Sequence, residues 1–191
     1  MSLVQTAAPA VEPITLADAK AQLRIDGTAE DVLIASLIVT SRLQIEAALG
    51  LALVTQEWMW TLDAWPDRRE IALPLRPVQS IQSIEVKRVA GLTETVAPSL
   101  YHLDGHANPA RLVATAPPLP APGVVAEGIA ISFTAGFGAT PGDTPAPIRQ
   151  ALMMLVAHWF ENREPASIGA QAVSIPETVS NLLAPYRQVR L

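Results

Sequence analysis

In the stretch Ile45-Glu46-Ala47-Ala48-Leu49-Gly50-Leu51-Ala52-Leu53-Val54-Thr55-Gln56-Glu57-Trp58-Met59-Trp60-Thr61-Leu62 the side-chain rhythm changes. Before Gly50 the repeat is helical. Ile34, Leu37, Ile38, Ser41, Ile45, Ala48 and Leu49 recur at steps of three and four, one face of a helix over 29–49. Gly50 closes it, because glycine accepts the left-handed conformation that follows a helix end. From Thr55 the period is two: Gln56, Trp58, Trp60 and Leu62 alternate with Thr55, Glu57, Met59 and Thr61. Aromatic residues at period two mark a strand.

Upstream, Thr28 and Asp31 stand at capping-box spacing for the helix over 29–49. Before that, Thr15 and Asp18 have the same spacing, and Leu16, Ala19, Leu23 and Ile25 give a shorter helix an apolar side. Asp26-Gly27 is expected to end it. Residues 1–13 are rich in Ala and Pro and read as a flexible arm.

Downstream, short strands are expected at 70–73, 81–88, 95–97, 101–103, 111–114 and 128–134. Arg76-Pro77, Ala90-Gly91, Asp104-Gly105 and the Pro-rich 116–123 punctuate them. After a Gly/Pro-rich loop, Pro147 suits the first turn of a helix over 147–162. Ile148, Leu152, Leu155, Val156, Trp159 and Phe160 mark its buried side. Residues 164–174 read as a loop. Ser174 and Glu177 open a last helix over 175–184, which Pro185 stops. The fold class is therefore α+β: a mainly helical core (helices near 15–25, 29–49, 147–162 and 175–184) with a small β-rich insertion at about 52–135. Residues 14–185 make one domain, followed by a tail over 186–191.

The chain has 191 residues, enough to bury a core without staples, and no cysteine, which excludes disulfides and thiolate chemistry. Its formal charge of −5 and the lack of a basic cluster exclude tight non-specific duplex binding, which needs several Lys or Arg at phosphates. The uncharged apolar run over 32–41 is half of the roughly 20 residues that cross a bilayer, and no signal-peptide pattern opens the chain. Half of the residues are hydrophobic, high for a soluble monomer, so the apolar surplus is expected to be buried in a core or a subunit interface. The helix over 29–49 bears only Glu30, Asp31, Arg42 and Glu46 as charges, and packing against a neighbour would account for that. Ile34, Leu37, Ile38, Ile45, Leu152, Leu155 and Trp159 are the candidate interface residues.

No motif carries catalysis. His102, Asp104 and His106 would share a strand face as metal ligands, but Asp104-Gly105 reads as a turn, and no further His or Cys is near. The glycine-rich 136–142 lacks the Lys of a phosphate loop, and Pro141, Pro145 and Pro147 delay the helix. Glu161 with Glu164, and Asp63 with Asp67, read as solvated pairs. His158 reads as a half-buried helix residue. Trp58, Trp60, Trp65 and Trp159 read as core or interface. No catalytic residue, cofactor or metal is expected.

The order of segments resembles the phage head–tail connector (adaptor) family. Its opening is matched by Ile14-Thr15-Leu16-Ala17-Asp18-Ala19-Lys20, Leu23-Arg24-Ile25-Asp26 and Asp31-Val32-Leu33-Ile34-Ala35-Ser36-Leu37-Ile38. In the middle stand Leu53-Val54-Thr55-Gln56-Glu57-Trp58, Ile71-Ala72-Leu73-Pro74-Leu75-Arg76-Pro77-Val78-Gln79-Ser80-Ile81 and Phe133-Thr134-Ala135-Gly136-Phe137-Gly138. The most specific part is Pro145-Ala146-Pro147-Ile148-Arg149-Gln150-Ala151-Leu152 with Ala157-His158-Trp159-Phe160-Glu161-Asn162-Arg163-Glu164. Leu182-Leu183-Ala184-Pro185-Tyr186-Arg187 closes it.

The resemblance implies a structural subunit, not an enzyme, that sits at the head–tail junction of a virion and is made in the bacterial cytoplasm. It implies a ring of about twelve copies, with the portal protein on one face and a stopper or tail completion protein on the other. DNA would pass through the lumen without specific binding, and no membrane is involved. The segment Tyr186, Arg187, Gln188, Val189, Arg190 and Leu191 would touch the portal. Two other classes stay open: another ring-forming virion part such as a stopper, tail terminator or baseplate piece, or an enzyme with a ligand in the Trp-rich β segment.

Overall fold

The computed structural model describes residues 1–115, 118–162 and 176–188. The chain divides into two compact units, Met1–Ala10 with Thr55–Phe137, and Val11–Val54 with Gly138–Leu191.

The first unit is β-rich. Its strands are β1 (Ser2–Ala7), β2 (Gln56–Leu62), β3 (Glu70–Ala72), β4 (Val78–Lys87), β5 (Thr93–Thr95), β6 (Tyr101–Asp104), β7 (Arg111–Ala114) and β8 (Ile129–Ala135). Two antiparallel sheets result, in the orders β1-β2-β8-β4-β5 and β3-β7-β6. Strand β8 is central because it pairs on both sides, Phe133 with Trp58 of β2 and with Ile81 of β4. Its alternation is strict: Ile129, Ile131, Phe133 and Ala135 are buried, and the residues between them are half-buried. Leu62, Ile84 and Val86 from the same sheet, and Ile71 and Leu112 from the smaller one, are also buried. Each such side chain contributes about 1.5–3 kcal/mol on leaving water.

The second unit is helical: α1 (Leu16–Leu23), α2 (Asp31–Leu49), α3 (Ala146–Glu161) and α4 (Glu177–Leu183). Helix α3 packs on the other three. Ile34, Ile38, Ile45, Leu152 and Leu155 are at most 2% exposed. At the start of α1 the hydroxyl of Thr15 accepts from the Asp18 backbone N–H at 3.0 Å, while the Asp18 carboxylate accepts from the Thr15 N–H at 3.1 Å. That reciprocal box is the one its spacing promised. The Thr15 hydroxyl and N–H hold the Asp18 carboxyl below the usual carboxylate range.

Four local expectations are corrected. The expected arm contains strand β1, antiparallel to β2 with Leu3 beside Trp60 and Gln5 beside Trp58. Its Ser2-to-Ala7 run has no Pro or charge, and composition around it masked that. The expectation of a mainly helical core with a small insertion also gives way. The chain is α+β with two sheets, and strands make up a large share of it. Helix α1 ends on Arg24, which takes the left-handed conformation at φ 57°, ahead of Asp26-Gly27. Thr28 does not cap α2 with its side chain. Asp31 instead meets Lys20 at 2.7 Å, an ion pair tying α2 to α1. The Ser174 cap and the loop over 164–174 lie outside the described residues.

Candidate functional site

None of the seven residues expected at a subunit interface is exposed on this subunit. Five of them, Ile34, Ile38, Ile45, Leu152 and Leu155, are buried within the helical unit itself, and Leu37 and Trp159 are half-buried. Periodicity finds a helix's buried stripe, but it cannot tell a partner in the same chain from one in another.

The opposite side of α2 is unusual. Its exposed apolar residues are Val32, Ala35, Val39, Leu43, Ala47 and Ala48. The remaining exposed positions, Ser36, Thr40 and Gln44, are also uncharged. The helix's charges face inward instead. Arg42 and Glu46 are 5% and 8% exposed. The Arg42 guanidinium donates from Nε to Glu12 Oε2 at 2.7 Å and from Nη1 to Glu46 Oε2 at 2.8 Å. Glu46 Oε1 accepts the Leu53 backbone N–H at 2.8 Å. Burial works against the Arg42 charge, but the two carboxylates outweigh it and hold its pKa above the ordinary value. One guanidinium thereby fixes the segment entering α1, the helix α2 and the stretch leaving it.

After α4, Tyr186 sits half-buried in a 3-10 turn (Ala184–Tyr186), and Arg187 and Gln188 are exposed. Val189, Arg190 and Leu191 lie outside the described residues. Arg187 borders a shallow groove of about 180 Å³ whose walls include Ile45, Ala48, Leu155, Val179 and Leu183.

The possible chemical sites resolve into structural roles. Asp104 receives Arg111 Nη2 at 2.7 Å and the Ala107 N–H at 3.2 Å, chiefly the former holding its carboxyl below the usual range. It is engaged in a turn, and His102 and His106 are exposed. Among the described residues no group of His, Cys, Asp and Glu is placed to hold a metal ion. In the loop before α3, Asp143 accepts from the N–H and hydroxyl of Thr140, both at 2.8 Å. A Cβ at Gly138 would meet that carboxylate at 2.4 Å, so glycine is required by the turn. A carboxylate at its centre repels phosphate. Asn162 Nδ2 donates to the His158 backbone carbonyl at 2.7 Å, a helix-end role for that pair. Glu164 lies outside the described residues. Asp63 accepts the Glu127 N–H at 2.9 Å and faces the N-terminus at 3.7 Å. Trp65 Nε1 donates to the Pro120 carbonyl at 2.8 Å, beside a groove of about 470 Å³ that Arg68, Arg69, Ile71 and Leu119 help to line. Trp58 and Trp60 are half-buried on β2, and Trp159 on α3.

The family model for head completion proteins matches residues 12–189. Solved structures agree with it over the whole length. A chain in the neck of an empty gene transfer agent particle, computed with C6 symmetry, is 27% identical, with a TM-score of 0.85. A chain in the virion of a native gene transfer agent particle is 26% identical (TM-score 0.83), and one in the native neck computed with C12 symmetry is 26% identical (TM-score 0.80). In all three the match covers 100% of this chain and 97% of that one. No curated protein matches the chain.

Proposed function

The chain belongs to the head completion protein family, and we propose that it is the connector subunit that docks as a ring between the portal and the tail. It is a structural virion component of the head–tail neck, not an enzyme. The observation that carries the reading is similarity across the entire chain to chains of particle necks computed with C12 and C6 symmetry. Cyclic symmetry repeats one head-to-tail contact until the ring closes.

The ring has about twelve copies, its upper face meets the portal protein, and its lower face receives a stopper or tail completion protein. The segment Tyr186 to Leu191 reaches toward the portal. It carries an aromatic and two arginines in a subunit of net charge −5, which suits it to an acidic partner surface. DNA crosses the lumen without being held, because repeated negative charge repels phosphate.

Mixing the purified protein with its cognate portal tests this. Light scattering and negative-stain images should show a ring of added density on the portal's tail-facing end. Deleting residues 186–191 should weaken that binding more than it weakens the fold. A protein that leaves the portal's mass and outline unchanged would overturn the reading.

A further inference from the structure

A water-facing helix stripe normally carries most of its helix's charge. Helix α2 inverts that rule. Val32 is 85% exposed, Leu43 50% and Val39 37%, while Arg42 and Glu46 are spent inside the subunit. The hydroxyls on the outer stripe are also satisfied. Ser36 donates to the Leu33 carbonyl at 2.7 Å and Thr40 to the Ser36 carbonyl at 2.8 Å, so both turn methylenes and methyls outward. The result is a stripe four to five turns long, neutral, apolar and low in relief because Ala35, Ser36 and Ala47 are small. Such a surface marks a contact site.

We propose that this outer stripe of α2 is covered by a second copy of the same chain, as one half of the head-to-tail contact around the ring; this rests on the connector reading above. Three observations select that occupant. Each copy carries a net charge of −5, so copies repel at long range, and a neutral stripe adds no like-charge contact to that repulsion. The stripe lies opposite the subunit's own core on α2, so it is unlike that core and suits a heterologous contact. A bilayer is another candidate, since α2 is long and apolar enough to cross one by length and composition. A helix lying on lipid, however, presents cations around its apolar side. Here Arg42 is buried, Lys20 beside the helix start is paired with Asp31, and Arg187 borders the stripe at its Ala48 end alone.

The test is the double variant Val39→Lys with Leu43→Lys, compared with the wild-type chain on the cognate portal. Both positions are exposed, so circular dichroism and the denaturation midpoint should be unchanged within error. Negative-stain images should show rings with the wild-type chain and none with the variant, and light scattering should show fewer added copies per portal. A polarity-sensitive fluorophore on Leu43→Cys, in a chain with no other cysteine, should shift to the blue as wild-type rings form. If the folded variant builds rings as the wild type does, the stripe is not the contact, while the connector reading stands. If the wild-type chain adds no ring to the portal, the connector reading fails and takes this contact with it. If the wild-type chain floats with phosphatidylcholine vesicles and the variant does not, the occupant is lipid and the proposal is overturned.

Discussion

Arg42 is one side chain with consequences for three segments. It bonds Glu12 and Glu46 at 2.7 and 2.8 Å with 6% of its side chain exposed. Removing it would leave two carboxylates facing each other in a largely buried site. Breaking a buried pair in this way costs about 3–5 kcal/mol. Arg42→Ala should therefore lower the unfolding free energy by roughly that amount, read from the midpoint of a urea transition. Arg42→Met with Glu46→Gln should recover part of the loss, because the glutamine amide still accepts the Leu53 N–H and leaves no unpaired charge on α2. A single variant as stable as the wild type would show that the cluster contributes nothing. None of this was legible in the sequence. Arg42 and Glu46 counted there only among the few charges of a largely covered helix, and four residues of spacing cannot say whether an ion pair faces water or core.

At the scale of elements the sequence was read well where pattern is local and poorly where pairing is long-range. The capping box at Thr15 and Asp18 and the glycine end of α2 at Gly50, φ 63°, depend on a few neighbouring residues. Helices α2 and α3 lie within a residue or two of their expected limits, since one-sided burial imposes a period on them. Strand β1 escaped because an edge strand of six residues gains its identity from β2, more than fifty residues away. The candidate interface residues meet a related limit, since a buried stripe does not name its partner. Because β1 lies along β2, removing residues 2–7 should expose Trp58 and Trp60. Their fluorescence should move to the red, and amides of β2 should lose hydrogen-exchange protection. The loss of Leu3 packing should reduce stability by about 2 kcal/mol. Unchanged emission and protection would mean that the strand is dispensable.

For the whole molecule, acid is a sharper probe than heat. Asp18, Asp63, Asp104 and Asp143 all have carboxyl pKa values depressed in the folded state. Their causes are local: the Thr15 hydroxyl, the Glu127 N–H, the Arg111 guanidinium and the Thr140 N–H. A depressed carboxyl stabilises the fold fully above its unfolded pKa of about 4, and that contribution disappears as pH falls through the folded value. The urea midpoint should therefore be level from pH 7 to about 5 and decline below about 4; a midpoint that rises on acidification would contradict the assignment. Finally, the chain passes between its two units after Ala10, after Val54 and after Phe137. During synthesis β1 is made well before its partner β2, and the sheet it borders lacks its central strand until Ala135 has been made. Helix α2 is complete at Leu49 but waits for α3, which begins at Ala146. The sheet therefore closes only after Ala135 and the helical unit only after α3, so each unit's early segment waits while a long stretch of the other is made.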